Sequence, residues 1–256
     1  MGSNKVYNFN PGPATLPADV MEKAQAEFVD FHGSGYGIIE ASHRGKEFAG
    51  VLEKTESNIR KLLNLSDDYS VLFLQGGASL QFAMVPMNLA LPGKPALYAD
   101  TGSWTTKAIK ESKLLMDTEI VYSGSDCEYI RIGDCMEWDI RQDASYMYIC
   151  SNNTIRGTQY HFFPETGDVP LVADMSSDIL SRRVDANRFG VIFAGAQKNL
   201  GPAGVTLVII RKDLAERVSS DVPTMLKYKT HIEKDSSFNT PPVFAIYMVR
   251  LVTDWI

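Results

Sequence analysis

The chain has 256 residues, of which 45% are hydrophobic and 22% are charged, and its formal net charge is −6 at pH 7. This composition supports a large hydrophobic core and excludes a wholly disordered protein. The negative charge argues against general binding of nucleic acid or of anionic lipid, so an anionic substrate needs a locally positive site.

Helix-like and strand-like patterns alternate along the chain. Apolar residues three or four positions apart predict one helix just after Pro17 and a second across residues 48–63. Further helices are predicted at residues 80–89, after Trp104 as far as Leu115, and at residues 242–256. Seven short apolar runs predict strands, at residues 71–74, 96–99, 120–122, 146–150, 171–173, 191–194 and 205–210. The alternation predicts an α/β fold, with a mainly parallel sheet that is covered by helices on both faces.

The rest of the composition points to a cytoplasmic protein without metal or membrane contact. Residues 1–5 have no apolar core for a signal peptide, and the apolar run at residues 243–249 is too short for a bilayer. Residues 125–143 predict an irregular surface connection. Three cysteines without paired spacing and four scattered histidines favour reduced thiols and no metal site.

Residues 76–79 (Gly-Gly-Ala-Ser) join a predicted strand to a predicted helix. Small residues at such a junction let backbone N–H groups approach an anion, and the helix N-terminus adds positive partial charge. The plainer interpretation is a tight turn between the two elements. The sequence has no GxxxxGK[ST] motif and no GxGxxG motif after a strand, so the usual nucleotide signatures are missing.

Asp174 and Lys198 follow two neighbouring predicted strands and are 24 residues apart. A carboxylate and an amine at the ends of parallel strands are expected to meet at one sheet edge. Separately, the carboxylate could be a turn cap and the lysine a solvated surface residue. The small residues around Lys198 favour close approach to a ligand. Pyridoxal phosphate (PLP) chemistry needs both groups, a lysine for the cofactor aldehyde and a carboxylate for the pyridine nitrogen.

Five short segments, in order along the chain, closely resemble those of the phosphoserine aminotransferases. They are residues 8–14 (NFNPGPA), 42–48 (SHRGKEF), 76–82 (GGASLQF), 195–199 (GAQKN) and 239–242 (NTPP). The resemblance implies the large domain of a fold-type-I PLP-dependent transferase. In this family, amino transfer between L-glutamate and 3-phosphohydroxypyruvate gives O-phospho-L-serine and 2-oxoglutarate. That reaction serves serine biosynthesis and, in many bacteria, pyridoxine synthesis.

The resemblance also implies roles for individual residues. Lys198 matches the Schiff-base lysine, Asp174 matches the partner of the pyridine nitrogen, and both are therefore expected to be catalytic. Trp104 matches the aromatic residue that stacks on the cofactor. The other residues that match cofactor contacts are Ala78, Ser79, Thr154, Gln197, Asn239 and Thr240.

The substrate site and the assembly are implied in the same way. Arg44, with His43 beside it, matches the family's substrate-anion site, and a planar guanidinium suits a carboxylate or phosphate. The alternative is a surface pair beside a helix start. In the family dimer, Asn239 and Thr240 match the pair that reaches the neighbouring subunit's cofactor phosphate. The resemblance therefore predicts a homodimer with shared active sites.

Two departures from the family pattern bear on the substrate site. Some members have an arginine at the position of Ser79, so the site for the substrate phosphate is expected to be arranged differently here. The family also has a C-terminal small domain, which supplies an arginine for the substrate α-carboxylate. The last predicted helix has no stop signal, so we expect the chain to end before that domain. The expected organisation is an N-terminal segment, residues 1–14, and a PLP-binding large domain, residues 15–256.

Two other functions remain open at this level. One is a different fold-type-I PLP enzyme, such as a serine–glyoxylate aminotransferase or a cysteine desulfurase. Residues 42–45 and 239–242 favour the phosphoserine enzyme, and no cysteine near the end of the chain suits a desulfurase. The second is a fragment that binds PLP without turnover.

Overall fold

The computed structural model describes residues 6–256. The first five residues lie outside this range, and with them the predictions made there: the missing signal peptide and the start of the N-terminal segment. Within the described range no helix is long and apolar enough to cross a bilayer.

The helices follow the predicted pattern closely. Their bounds are α1 (Ala18–Val29), α2 (Lys46–Leu63), α3 (Gly77–Leu89), α4 (Ser103–Ser112), α5 (Lys212–Ala215), α6 (Tyr228–Ile232) and α7 (Val243–Trp255). Helix α4 ends at Ser112, before the predicted Leu115. Residues 113–115 form turns, and Leu114 is exposed there instead of continuing an apolar helix face. The short helices α5 and α6 were not predicted, since neither is long enough to show a periodic apolar face.

Each of the seven apolar runs forms a strand, and a small two-stranded ribbon adds two more. The strands are β1 (Tyr69–Leu74), β2 (Ala96–Asp100), β3 (Thr118–Ser123), β4 (Tyr146–Cys150), β5 (Asn152–Asn153), β6 (Thr158–Gln159), β7 (Leu171–Asp174), β8 (Val191–Gly195) and β9 (Thr206–Arg211). The connection between β3 and β4 is irregular apart from two short 3₁₀ turns, as its polar sequence predicts.

The main sheet has the strand order β1-β9-β8-β7-β4-β2-β3. Pairing is parallel from β8 across to β3, whereas β9 is antiparallel to both of its neighbours. The mainly parallel sheet is therefore confirmed, and the reversed β9 is a feature that the apolar pattern did not reveal. All strands except β9 end at the same edge, and Asp174 of β7 pairs there with Cys150 of β4.

Helices cover both faces of the sheet, as predicted. Alternate residues of one strand enter different cores, so Val71 and Phe73 pack with α1, α2 and α7, whereas Leu72 and Leu74 pack with α3 and α4. Asn58 joins α2 to α7 by donating to Asp254 Oδ1 at 2.8 Å. The two cores hold the carboxyl ends of the strands in fixed relative positions.

Helix α7 contributes to folding through fully buried side chains such as Ile246, which is 0% exposed. We expect Ile246→Ala to lower the free energy of unfolding by about 2–5 kcal/mol, because it leaves a cavity in a close-packed core. Urea unfolding of the purified chain measures this. The same substitution at Ile130, which is 67% exposed, should cost less than about 0.5 kcal/mol. Equal losses at both positions would show that α7 is not part of the core.

Candidate active site

The polar segments at the ends of five strands that run in the same direction meet around one cavity of about 180 Å³. Residues after β1, β2, β4, β7 and β8 contribute to its wall, as expected where strand ends share an edge. Residues from the predicted site that line it are Ala78, Ser79, Trp104, Asp174, Gln197 and Lys198. Thr154 joins this group through its contacts with Lys198 and Trp104.

Lys198 lies in the turn after β8 and is half-buried. Its Nζ is 3.5 Å from Thr154 Oγ1 and 5.0 Å from the centroid of the Trp104 ring. The indole Nε1 donates to the same threonine oxygen at 3.3 Å. The amine is therefore held by one hydroxyl and one aromatic face, and it has no carboxylate partner in a salt bridge within residues 6–256.

Asp174 is the last residue of β7, and only 5% of it is exposed. Its Oδ1 accepts hydrogen bonds from the Ser176 backbone N–H at 2.9 Å and from Ser176 Oγ at 2.6 Å. Burial raises the pKa of Asp174 above its ordinary value, although Ser176 and the charge of Lys198 oppose that rise. Oδ1 therefore caps the turn after β7, as the alternative interpretation of Asp174 predicted. Oδ2 accepts no hydrogen bond from the described chain.

The segment between β1 and α3 has a backbone shape that suits an anion. Gly76 and Gly77 adopt φ values of 91° and 66°, in the left-handed region that favours glycine. A Cβ on Gly76 would lie 2.5 Å from Leu80 Cδ2, so a larger residue does not fit. Helix α3 begins here, and its first backbone N–H groups have no partners within the helix. Ala78 and Ser79 therefore present N–H groups beside Gln197 on the cavity wall.

This donor set fits PLP. An amine, a buried carboxylate with one unpaired oxygen, an indole face and free N–H groups at a helix N-terminus correspond to the cofactor's aldehyde, ring nitrogen, ring and phosphate. Within the described residues, no group of three or more His, Cys, Asp or Glu side chains is arranged to hold a metal ion.

Four predicted site residues are not on this cavity within one chain. Arg44 is exposed and His43 half-buried, in the turn before α2. Asn239 and Thr240 are exposed, before α7. Asn239 lines a different, mostly apolar cavity of about 150 Å³, and the backbone oxygen of Thr240 accepts from Gln75 Nε2 at 3.0 Å. None of these four residues is among those that line the cavity beside Lys198.

Several residues of the site were missed from the sequence. Besides Gly77, which belongs to the predicted junction 76–79, the cavity wall includes Phe82, Cys150, Asn152, Ser176 and Ser177. Most of them carry no motif, because a neighbouring strand end places them there. Ser176 was detectable, since a serine two residues after a strand-end aspartate commonly caps its turn.

Asp100, at the end of β2, was also missed. Its Oδ1 accepts from Thr105 Oγ1 at 2.9 Å and from Thr106 Oγ1 at 3.1 Å. Its Oδ2 accepts from the Tyr129 hydroxyl at 3.1 Å. These bonds fix the first turn of α4, which carries Trp104.

The burial of the Asp174 carboxylate leads to a prediction about the stability of the cofactor-free chain. Its pKa is raised by folding, so the charged form costs stability at every pH above that raised pKa. We expect Asp174→Asn to stabilise the cofactor-free chain at pH 8 by on the order of 1 kcal/mol, the scale for a buried polar group with too few partners.

The gain should shrink as the pH falls through the raised pKa of folded Asp174, and it should vanish below the ordinary pKa of an aspartate, where wild-type Asp174 is protonated in both the folded and the unfolded state. Urea unfolding at a series of pH values from 8 downwards tests this. A variant that is less stable than the wild type at pH 8 would show that the charge is compensated within the chain.

Comparison with known proteins agrees with the geometry. The family described as "Aminotransferase class-V" matches residues 6–256. A phosphoserine aminotransferase of Syntrophobacter fumaroxidans is 58% identical over 255 residues, which are 99% of this chain and 70% of that protein. The structure of the enzyme from Bacillus circulans subsp. alkalophilus superposes with a TM-score of 0.97 at 50% identity, covering 99% of this chain and 70% of that one.

A third structure, a PLP-bound phosphoserine aminotransferase from Trichomonas vaginalis, has a TM-score of 0.92 at 37% identity, covering 98% of this chain and 71% of that one. The chain thus spans about 70% of the length of these relatives. Several further relatives that are 50–54% identical bear the same enzyme name. The chain belongs to the phosphoserine aminotransferases, within the class-V aminotransferase family.

Proposed function

We propose that this chain catalyses amino transfer between L-glutamate and 3-phosphohydroxypyruvate, in serine biosynthesis, and that Lys198 and Asp174 carry the reaction. The observation that supports these roles is their convergence on one cavity from the ends of adjacent strands. Relatives that are 50–58% identical are named phosphoserine aminotransferases. PLP is the cofactor, and when bound it supplies a conjugated ring that takes up the electron pair left at a substrate's Cα.

Lys198 has the proton-transfer role. Its Nζ is 5.0 Å from the centroid of the Trp104 ring, and Lys198 lies on the cavity wall, so this amine would be within reach of the Cα of a substrate bound there. Nζ accepts the proton from the Cα of the amino donor and returns a proton in the second half of the reaction. Thr154 Oγ1, 3.5 Å away, accepts a hydrogen bond from Nζ and so orients it.

Asp174 has the electrostatic role. The open Oδ2 of its buried carboxylate holds a proton on the cofactor's ring nitrogen, and the low dielectric of the surroundings strengthens that pair. Trp104 covers one face of the ring and excludes water from it. The free N–H groups at the start of α3, together with the Ser79 hydroxyl and Gln197, bind the phosphate.

The proposals for substrate binding and for assembly concern the four predicted site residues that do not line the cavity of their own chain. We infer a homodimer in which Asn239 and Thr240 of each chain complete the phosphate site of the other. His43 and Arg44 bind the anionic groups of the substrate. The exposure of three of these four residues supports the proposal, since the fold leaves them free to face a second copy. Symmetric pairing of two such surfaces is the commonest arrangement of soluble oligomers.

We further treat residues 15–256 as one PLP-binding large domain, preceded by the N-terminal segment 1–14. The segment is tied to the site, because the Ala14 backbone N–H donates to the Gln197 carbonyl at 2.9 Å. We place the reaction in the cytoplasm. The three cysteines of the described chain are free thiols, which supports a reducing compartment.

The lysine assignment predicts the behaviour of Lys198→Ala. We expect kcat to fall by about a thousandfold or more, because the variant loses the group that moves the Cα proton. The variant incubated with PLP should also lack the visible absorbance of covalently bound cofactor, and borohydride should not fix PLP to the chain.

Lys107 is the matched control, since its Nζ is 4.8 Å from the centroid of the same Trp104 ring. Lys107→Ala should keep both the absorbance and the borohydride reaction. If Lys198→Ala still retains cofactor after borohydride, the assignment is wrong.

The shared-site proposal predicts complementation between two defective chains. Lys198→Ala and the double variant Asn239→Ala/Thr240→Ala damage the same site through different subunits. Mixed dimers therefore have one site with all the changes and one site with none. Random reassociation should restore up to about a quarter of wild-type activity, since half of the dimers are mixed and half of their sites are intact. Activity no greater than the mean of the two unmixed variants would place Asn239 and Thr240 at their own chain's site or at none.

A further inference from the structure

Ser176 makes three hydrogen bonds beside the Asp174 carboxylate. It is 6% exposed and lies on the cavity wall. Its Oγ donates to Asp174 Oδ1 at 2.6 Å and accepts the Gly195 backbone N–H at 3.0 Å. Its own backbone N–H donates to Asp174 Oδ1 at 2.9 Å. One small residue therefore contacts the catalytic carboxylate twice and a neighbouring strand once.

The two bonds to Asp174 end on the same oxygen. Rotation of the carboxylate about its Cβ–Cγ bond would move Oδ1 away from both donors, and such hydrogen bonds to an ionised group are stronger than neutral ones. The arrangement therefore selects one orientation. In that orientation Oδ2 accepts no hydrogen bond from any of the described residues, so it remains available to a donor within the cavity.

Ser176 also ties together the two strand ends that carry the reaction. Asp174 ends β7, and Gly195 ends β8 three residues before Lys198. The bond from the Gly195 N–H to Ser176 Oγ joins these ends beyond the last ladder pair, Asp174 with Phe193. The Ser176 hydroxyl thus adds a side-chain link between the carboxylate and the start of the lysine turn, beside the bond from the Met175 N–H to the Phe193 carbonyl at 2.9 Å.

We propose that Ser176 is a positioning residue, which orients the Asp174 carboxylate so that Oδ2 pairs with the ring nitrogen of PLP. The inference rests on the function proposed above. Burial raises the pKa of Asp174, and the hydrogen bonds from Ser176 act in the opposite direction because they stabilise the ionised carboxylate. A serine is suited to this place because a hydroxyl donates one hydrogen bond while accepting another.

The test compares two ligands on the cofactor-free chain, by titration of binding. The first ligand is PLP, and the second is its 1-deaza analogue, in which a C–H group replaces the ring nitrogen. Ser176→Ala should weaken PLP binding by on the order of tenfold, the scale of a lost hydrogen bond to a charged group. It should change binding of the analogue by less than about twofold, because the analogue makes no bond to Asp174. Ser176→Thr, which keeps the hydroxyl, should bind PLP within about threefold of the wild type.

Ser145 is a matched control for the general cost of removing a buried serine hydroxyl. Its Oγ accepts the Leu91 N–H at 3.0 Å and donates to the Lys94 carbonyl at 3.0 Å, before the start of β4. It is 0% exposed and lies at the opposite edge of the sheet. Ser145→Ala should lower the unfolding midpoint as much as Ser176→Ala does, yet leave PLP affinity within about twofold.

Equal weakening of PLP and of the analogue by Ser176→Ala would assign Ser176 a structural role only and overturn the proposal. Unchanged PLP affinity would overturn it as well. If Ser176→Ala gives no folded chain, Ser176→Cys, which keeps a weak donor, serves in the same two-ligand comparison. The result does not depend on turnover. A wild-type chain that binds PLP but does not transaminate 3-phosphohydroxypyruvate would refute the proposed function and leave this inference standing.

Discussion

The site depends on the Asp174 carboxylate, which is buried where a negative charge is poorly solvated. Asp174 is buried at the end of a central strand, and its pKa is raised by that burial. Only one of its oxygens is paired within the described chain, through Ser176. A carboxylate with an open oxygen in a low dielectric is poorly stabilised until a positive partner arrives, and a protonated ring nitrogen is such a partner. The fold thus holds the group ready for the cofactor at a cost in stability.

The parallel sheet makes this arrangement possible. Strands β4, β7 and β8 run in one direction, so Cys150, Asp174 and Gly195 end together, and the turns after them meet. Two cores, one on each face, keep these ends from moving relative to one another. Individual hydrogen bonds then fix the positions of single side chains in the site. The Asp100 network fixes the helix that carries Trp104, and Ser176 fixes Asp174.

Local charge and overall charge have different roles in this protein. The chain is acidic overall, with a net charge of −6, yet the proposed ligands are anions. The cavity has Lys198 and the N-terminus of α3 on its wall, and both favour negative groups at short range. Arg44 is exposed in the turn before α2. Overall acidity therefore disfavours nucleic acid without preventing the binding of a small phosphorylated substrate, because the favourable charges act within a few ångströms.

Apolar patterning was enough to predict the strands and the long helices, and short motifs supplied the candidate residues of the site. Apolar runs and periodic faces report burial directly, so all seven sheet strands were predicted, as was the convergence of Asp174 and Lys198. The reversal of β9 was not predictable, because an apolar run has the same composition in either direction.

The folded chain was needed to establish which partners each side chain has. It showed that Asp174 has one open oxygen, that Ser176 bridges two strands, and that Asn239, Thr240, His43 and Arg44 do not line the cavity beside Lys198. These facts depend on contacts between residues far apart in sequence, and hydrogen bonds of that kind leave no periodic signal along the chain.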